Sequence, residues 1–105
     1  MNNPLASSGI TMISQHYTVV RDGAEVVLSP MQFRMLEMIA TSEIGMTPEA
    51  LFDRLYAGMD TPLHGRRSIH IQRVNANHKL EPLRVRITSN RRHGGPGSVY
   101  RVIAA

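Results

Sequence analysis

The sequence predicts a small α+β fold in which an antiparallel sheet comes first, three helices follow, and a β-hairpin closes the chain. Short runs rich in β-branched residues stand near both ends of the 105 residues, whereas the middle has apolar residues at helical spacing. The helical stretches are bounded by proline and glycine, which often mark where helices begin and end. A chain of this length is expected to form one domain.

The N-terminal sheet is predicted from two β-branched runs, at residues 17–20 and 25–28. Asp22-Gly23 lies between them and favours a tight hairpin turn, because both residue types tolerate positive φ. Residues 10–13 are a candidate third strand. The segment before them is polar and rich in small residues, so we expect a flexible tail over residues 1–14 and the folded domain over residues 15–105.

Three helices are predicted in the middle of the chain. Ser29-Pro30 and Thr47-Pro48 each combine a capping side chain with a proline in the first turn, where a helix does not use the backbone N–H. These two helices are expected to reach about residues 41 and 58. A third helix is expected over about residues 66–78, and Glu81-Pro82 should end it at the latest.

The chain closes with a second predicted hairpin. Residues 84–88 alternate polar and apolar side chains, as in a half-buried strand, and a partner strand is expected over about residues 98–103. The loop between them, about residues 89–97, is rich in arginine and glycine. A sheet, three helices and a basic hairpin in this order predict a winged helix, with this loop as its wing.

Charge is distributed unevenly along the chain. Residues 61–105 contain nine lysines and arginines and one acid, for a net charge of +8, whereas residues 1–60 carry a net charge of −4. This asymmetry favours a surface that binds a polyanion, and nucleic acid is the first candidate.

Composition and motifs argue against several other classes of protein. The sequence has no cysteine, which excludes disulfides and thiolate metal sites. It also has no apolar run near the 18 residues of a membrane span and no recognisable signal peptide. The five histidines have no metal-binding spacing and no catalytic motif is present, so we expect no enzyme activity and no cofactor. The expected location is the cytoplasm, in association with the nucleoid.

The third predicted helix is the candidate for contact with nucleic acid. At 100° per residue, Ile71, Val74 and His78 fall on one side, which we expect to face the core. The opposite side would then carry long donors and small or apolar residues with no acid, a mixture that suits base edges in the major groove. The base-reading candidates on that side are Ile69, Gln72, Arg73 and Ala76.

Contacts with the phosphate backbone of the nucleic acid are expected from basic and polar side chains of this helix and of the wing. Arginine at a hairpin tip can enter a narrow minor groove, and glycine lets the backbone approach a phosphate closely. The candidates are Arg66, Arg67, His70, Asn75, Lys79, Arg91, Arg92 and His93. A solvated helix face is the alternative interpretation, but such faces usually mix charges, and no acid lies between residues 65 and 80.

Four segments, in the same order along the chain, resemble the OmpR/PhoB-type winged-helix domains. Residues 27–33 resemble the start of that family's first helix, and residues 47–51 the start of its second. Residues 69–74 (IHIQRV) are similar to its V-H-I-x-R-L recognition helix, and residues 99–102 (VYRV) to its closing strand. The resemblance covers about residues 17–103.

This resemblance implies a transcription regulator that binds double-stranded DNA. The third helix would lie in the major groove and the wing in the minor groove. By matched position, Ile69 and Arg73 would read bases and His70 would contact a phosphate. Arg91 or Arg92 would stand for the family's wing arginine. We expect a standalone regulator that binds paired half-sites, with dimerisation on DNA.

Some residues depart from the family pattern. Gln32 replaces the usual Glu, Ser68 stands where Asp is preferred, and Asn75 where a second Arg is common, so base preference does not carry over. The loop at residues 58–65 is where such domains often contact RNA polymerase. The alternative function is therefore a protein-interaction module that docks on RNA polymerase or another regulator. RNA binding ranks third, because no pair of exposed stacking aromatics is evident.

Overall fold

Most helix and strand boundaries lie within two residues of the predicted ones, but the second predicted helix ends at Leu55, three residues before its predicted end at residue 58. The computed structural model describes residues 4–60, 65–91 and 97–105. Its elements are α1 (Pro4–Ser7), β1 (Ile10–Ile13), β2 (Thr18–Arg21), β3 (Ala24–Val27), α2 (Pro30–Ala40), α3 (Pro48–Leu55), α4 (Arg67–Leu80), β4 (Val85–Ser89) and β5 (Tyr100–Ala104). A 3₁₀ turn, Glu81–Leu83, connects α4 to β4. The described residues thus form an α+β fold, as predicted, with four α-helices and two antiparallel sheets.

The first sheet is the predicted N-terminal one, with the strand order β1-β2-β3. Asp22 and Gly23 have φ values of 52° and 82° and form the turn between β2 and β3, with Arg21 opposite Ala24. Positive φ at both central residues matches the right-handed twist of the two strands, which is why Asp-Gly is favoured there. The hairpin and the third strand are confirmed.

The N-terminal segment differs from the flexible tail that was predicted. Residues 4–7 form a single helical turn, and Leu5 is buried with 1% of its surface exposed. Ile10 is also buried, at the start of β1. The physical reason is that these two apolar side chains leave water to join the core, with α1 lying against β1 and β5. Residues 1–3 lie outside the described part of the chain.

Capping side chains begin α2 and α3 where the sequence predicts them. The Ser29 hydroxyl accepts the Gln32 N–H, and the Gln32 side-chain oxygen accepts the Ser29 N–H, both at 3.1 Å. At the start of α3, the Thr47 hydroxyl accepts the Ala50 N–H, also at 3.1 Å. Each helix therefore gains partners for N–H groups that its own backbone leaves unpaired.

The core lies among α2, α3, α4 and the second sheet, in which β4 pairs with β5. Tyr100 is the largest of the fully buried side chains. Met46, between α2 and α3, extends this sheet on the other edge of β5 through two backbone hydrogen bonds with Tyr100, of 2.7 and 3.0 Å. This bridge was not predicted, because a single residue leaves no periodic pattern in the sequence.

We predict that Gly45, just before this bridge, is intolerant of substitution. Its φ is 82°, and an added Cβ would lie 2.6 Å from the Tyr100 carbonyl oxygen and 2.8 Å from Val99 Cγ1. Gly45→Ala should lower the free energy of unfolding by about 2–3 kcal/mol, because backbone strain and a backbone clash add together. Urea-induced unfolding measures the loss.

Gly58→Ala is the matched control for this prediction. Gly58 has a φ of 74°, but no atom of the described residues lies within 4 Å of an added Cβ. Gly58→Ala should therefore lower the free energy of unfolding by only about 1 kcal/mol, which is the cost of the backbone strain alone. Equal losses in the two variants would contradict the prediction.

Candidate functional site

The buried side of α4 is the reverse of the side predicted from its periodicity. Its fully buried side chains are Ile69, Ala76 and Leu80. His78 is exposed, and Ile71 and Val74 are partly exposed. The prediction that these three face the core is therefore wrong. Ile69 and Ala76 have no exposed surface with which to reach a base, so the base-reading role predicted for them is wrong as well.

The length of α4 explains this reversal. The helix runs to Leu80, two residues beyond its predicted end. Residues 69, 76 and 80 are spaced by seven and four, so they fall within about 40° of one another on a helix. A helix that ended at residue 78 would lack Leu80 and leave this apolar stripe incomplete. With Leu80 included, the stripe is the one that the core covers.

Arg73 is held against the hairpin instead of facing a ligand. Its Nη1 donates to the Ile87 carbonyl at 3.3 Å, and its Nη2 donates to His70 Nδ1 at 3.3 Å. Its guanidinium carbon lies 5.1 Å from the centroid of the Tyr100 ring, within the range of a cation–π contact. The predicted base-reading role for Arg73 would require all three contacts to break. Gln72, the other base-reading candidate, is partly exposed.

Asn77 makes the closest hydrogen-bonded contact between α4 and β4. Its Nδ2 donates to the Ile87 carbonyl at 3.0 Å, and its Oδ1 accepts the Ile87 N–H at 2.8 Å. The amide therefore bonds both backbone groups of Ile87, as a neighbouring strand would. Sequence reasoning did not identify Asn77. Its position next to Ala76 would have indicated it once the buried side of the helix was known.

Tyr100, beneath Arg73, carries a buried hydroxyl. Its oxygen makes no well-formed hydrogen bond among the described residues, although the Arg73 side chain lies near enough to interact with it. Burial raises the pKa of the Tyr100 phenol above its ordinary value of 10.0, the Arg73 charge opposes the rise, and Glu49 adds to it. The phenol therefore stays neutral while the protein is folded at physiological pH.

The outer face of α4 consists of five residues that point away from the core. They are Arg67, Ile71, Val74, Asn75 and His78. Arg67, Asn75 and His78 are exposed, and the two apolar side chains between them are partly exposed. On a helix these five span about 100°. The outer face contains no acid, and it combines hydrogen-bonding side chains with an apolar centre.

A groove runs beside the C-terminal half of this face. It has a volume of about 610 Å³, and Val74, Asn77 and His78 of α4 line one part of it. Arg84, Arg86 and Ile103 from the hairpin segment line another part, and all three are exposed. The groove therefore joins the outer face of α4 to the basic side of the hairpin.

The residues predicted to contact the DNA phosphate backbone differ in their exposure and in their contacts within the chain. Those that are exposed, as this role requires, are Arg66, Arg67, Asn75, Lys79 and Arg91. Lys79 is engaged within the chain, because its Nζ donates to Gln32 Oε1 at 2.9 Å. His70 is partly exposed and accepts from Arg73. Arg92 and His93 lie outside the described residues, as do residues 61–64 of the predicted polymerase-contacting loop.

Metal-binding clusters and membrane-spanning helices are absent from the described residues. Within residues 4–60, 65–91 and 97–105, no group of three or more histidine, aspartate or glutamate side chains could hold a metal ion. In the same part of the chain, no helix is both long enough and apolar enough to cross a bilayer.

Comparison with known proteins adds no family. No family model matches the chain, and no curated protein matches it either. The resemblance implied that Ile69 reads a base, and this role disagrees with the burial of its side chain.

We predict that Asn77→Ala and Arg73→Ala destabilise the fold. Asn77→Ala removes the partner of two backbone groups of Ile87 and should cost about 2–3 kcal/mol. Arg73→Ala removes one hydrogen bond to Ile87 and the contact with the Tyr100 ring, and should cost about 1–2 kcal/mol. Urea-induced unfolding measures both losses.

Arg67→Ala is the control for these two variants, because Arg67 is an exposed residue of the same helix. It should change the free energy of unfolding by less than about 0.5 kcal/mol. An Arg73→Ala protein as stable as Arg67→Ala would show that Arg73 does not hold α4 to the hairpin.

We predict that Tyr100→Phe does not weaken the protein at neutral pH. The lost hydroxyl makes no well-formed hydrogen bond among the described residues, so stability should stay equal or rise by up to about 1 kcal/mol. The raised pKa means that the unfolded phenol ionises first as pH rises. The free energy of unfolding of the parent should therefore fall above about pH 10, and part of this fall should be absent in Tyr100→Phe.

Denaturant unfolding at pH 7 and at pH 10–11 checks this prediction, with the exposed Tyr17→Phe as control. A clear loss of stability at pH 7 in Tyr100→Phe alone would show that the hydroxyl is hydrogen-bonded in the folded protein.

Proposed function

We propose that this chain binds double-stranded DNA as a winged-helix transcription regulator, with the outer face of α4 in the major groove. The observation that carries the proposal is the composition of that face. Arg67, Asn75 and His78 surround two apolar side chains, and no acid lies among them. This proposal keeps the predicted helix, but the outer face contains none of the four residues predicted to read bases.

The chemistry of the outer face suits base edges. Arginine pairs with guanine and asparagine with adenine, each through two hydrogen bonds, and apolar side chains contact the methyl group of thymine. Arg67, Asn75 and the pair Ile71 and Val74 supply these three types. An α-helix with its side chains is about 10–12 Å in diameter, which matches a major groove about 12 Å wide, and the 14 residues of α4 give it a length of about 21 Å along that groove.

The surroundings of α4 suit a phosphate backbone. Arg66 precedes the helix. Arg84 and Arg86 lie on the far side of the protein groove that runs beside the C-terminal half of α4. All three arginines are exposed. Arginines at these positions would contact phosphates on the two sides of the major groove. Arg91, exposed at the base of the predicted wing, would reach toward the neighbouring minor groove.

The arrangement of elements also supports a winged helix. α2, the Met46 bridge, α3, α4 and the β4–β5 hairpin follow one another, and α4 lies against β4. A domain of this size offers little contact area, so strong binding would require paired half-sites and dimerisation on DNA. Such a regulator would act at the nucleoid in the cytoplasm.

Docking on RNA polymerase or another regulator is the alternative function. The exposed Met59, within the predicted polymerase-contacting loop, favours it. Single exposed apolar residues are common on protein surfaces, however, so this observation is weaker than the charge and composition of the outer face of α4.

We predict that Arg67→Glu weakens binding to a duplex selected from a random library by at least tenfold. Asn75→Ala should weaken discrimination at one base position by about 1–3 kcal/mol. Binding of the parent should fall steeply between about 50 and 200 mM salt, because lysine and arginine displace condensed counterions. Fluorescence anisotropy measures these affinities.

Arg34→Glu is the matched control, because it changes the net charge equally at an exposed position of α2. It should change the affinity by less than about threefold if the contact is local. Equal effects of the two substitutions would place the contact elsewhere. If no duplex binds at low salt while a protein partner co-purifies, the alternative function is supported and DNA binding is wrong.

A further inference from the structure

We propose that the groove beside α4 binds a small amphipathic carboxylate, which controls access of DNA to the outer face of the helix. Binding to the groove stands on the structure of the groove itself. The control of DNA access rests on the proposed function.

The size of the groove fits a small ligand. Its volume of about 610 Å³ lies within the range of about 300–1,000 Å³ that is typical of ligand pockets. Arg86 and Ile103 are directly opposite each other on β4 and β5, so their side chains stand on the same side of the hairpin. Val74 and His78 approach from α4 and complete the groove.

The groove offers apolar surface that a ligand would cover. Val85, which is 2% exposed, lies in it together with Ile103, which is 48% exposed. Val74 and Ala104 add further partly exposed apolar groups. An exposed isoleucine in a concave site gains free energy when an apolar chain or ring covers it.

The charge of the groove selects a monoanion. Arg84 and Arg86 line it, and Glu81 is the one acidic side chain among its lining residues, so basic side chains outnumber acidic ones there. A carboxylate can accept two parallel hydrogen bonds from a guanidinium, which fixes its orientation. A cation of the same size would lack this pairing and would face two guanidinium groups.

The groove overlaps the proposed DNA-binding surface. Val74 and His78 belong both to the groove and to the outer face of α4. A ligand against these two side chains would occupy space that the edge of a major groove needs. Its carboxylate would also neutralise Arg86, which is proposed to contact a phosphate. The two ligands should therefore exclude each other.

The first test uses decanoate as the probe and decyltrimethylammonium as a cation of the same chain length. In a ¹⁵N–¹H NMR titration of the whole chain, decanoate below its micelle concentration should shift the amides of Val74, His78, Arg86 and Ile103 saturably. The amide of Gly23, in the β2–β3 turn, should not move. Decyltrimethylammonium should bind at least tenfold more weakly.

Ile103→Glu adds a negative charge inside the groove and should lower the affinity for decanoate at least tenfold. Ile44→Glu is the matched control, because Ile44 is 79% exposed and does not line the groove. If Ile103→Glu fails to fold, Arg86→Gln compared with Arg34→Gln makes the same distinction. The proposal would be overturned if the two variants of a pair bound decanoate with equal affinity. It would also be overturned if decanoate and decyltrimethylammonium bound equally well, or if the amide shifts were centred outside the groove.

The second test adds a duplex that the chain binds. Decanoate should weaken DNA binding competitively in the parent but not in Ile103→Glu, with the DNA affinity of each protein alone as the reference. If decanoate occupies the groove and DNA affinity stays unchanged, the control of DNA access is wrong. If no duplex binds, the proposed function fails, whereas the NMR titration still decides whether the groove binds a carboxylate.

Discussion

Ile87 lies on β4 with its backbone N–H and C=O directed away from β5, and the side chain of Asn77 bonds to both groups. Backbone groups buried at a sheet edge must find partners, and here α4 supplies them. Arg73 adds a bond to the same carbonyl and lies over the Tyr100 ring. These contacts fix one side of α4 against the hairpin and thereby determine which side remains exposed to solvent.

This arrangement separates two uses of polar residues on one helix. Arg73 and Asn77 hold the hairpin, whereas Arg67 and Asn75 are exposed. An arginine and an asparagine therefore occur on each side, and residue type alone does not distinguish them. The distinction comes from what each side chain touches. A basic helix is better assessed by its unengaged side chains than by its total charge.

The outer face of α4 and the neighbouring groove form one continuous surface. Val74 and His78 are common to both, and the hairpin contributes Arg86 and Ile103 beside them. In a domain this small, a ligand site and a nucleic-acid site have little room to be separate. Mutual exclusion through shared residues would let a small ligand regulate DNA binding without any change in the fold.

The sequence by itself determined the order, type and approximate bounds of most elements, because the signals are local. Ser29 and Thr47 cap their helices, and Asp22-Gly23 adopts the two positive φ values of its turn. Only the tertiary structure decided which side of α4 is buried. Both sides carry apolar residues at helical spacing, and the choice depended on Leu80 and on partners for Ile87. The tertiary structure also decided the packing of Leu5 and the bridge at Met46. Contacts between residues that are distant in sequence leave no periodic pattern in the sequence.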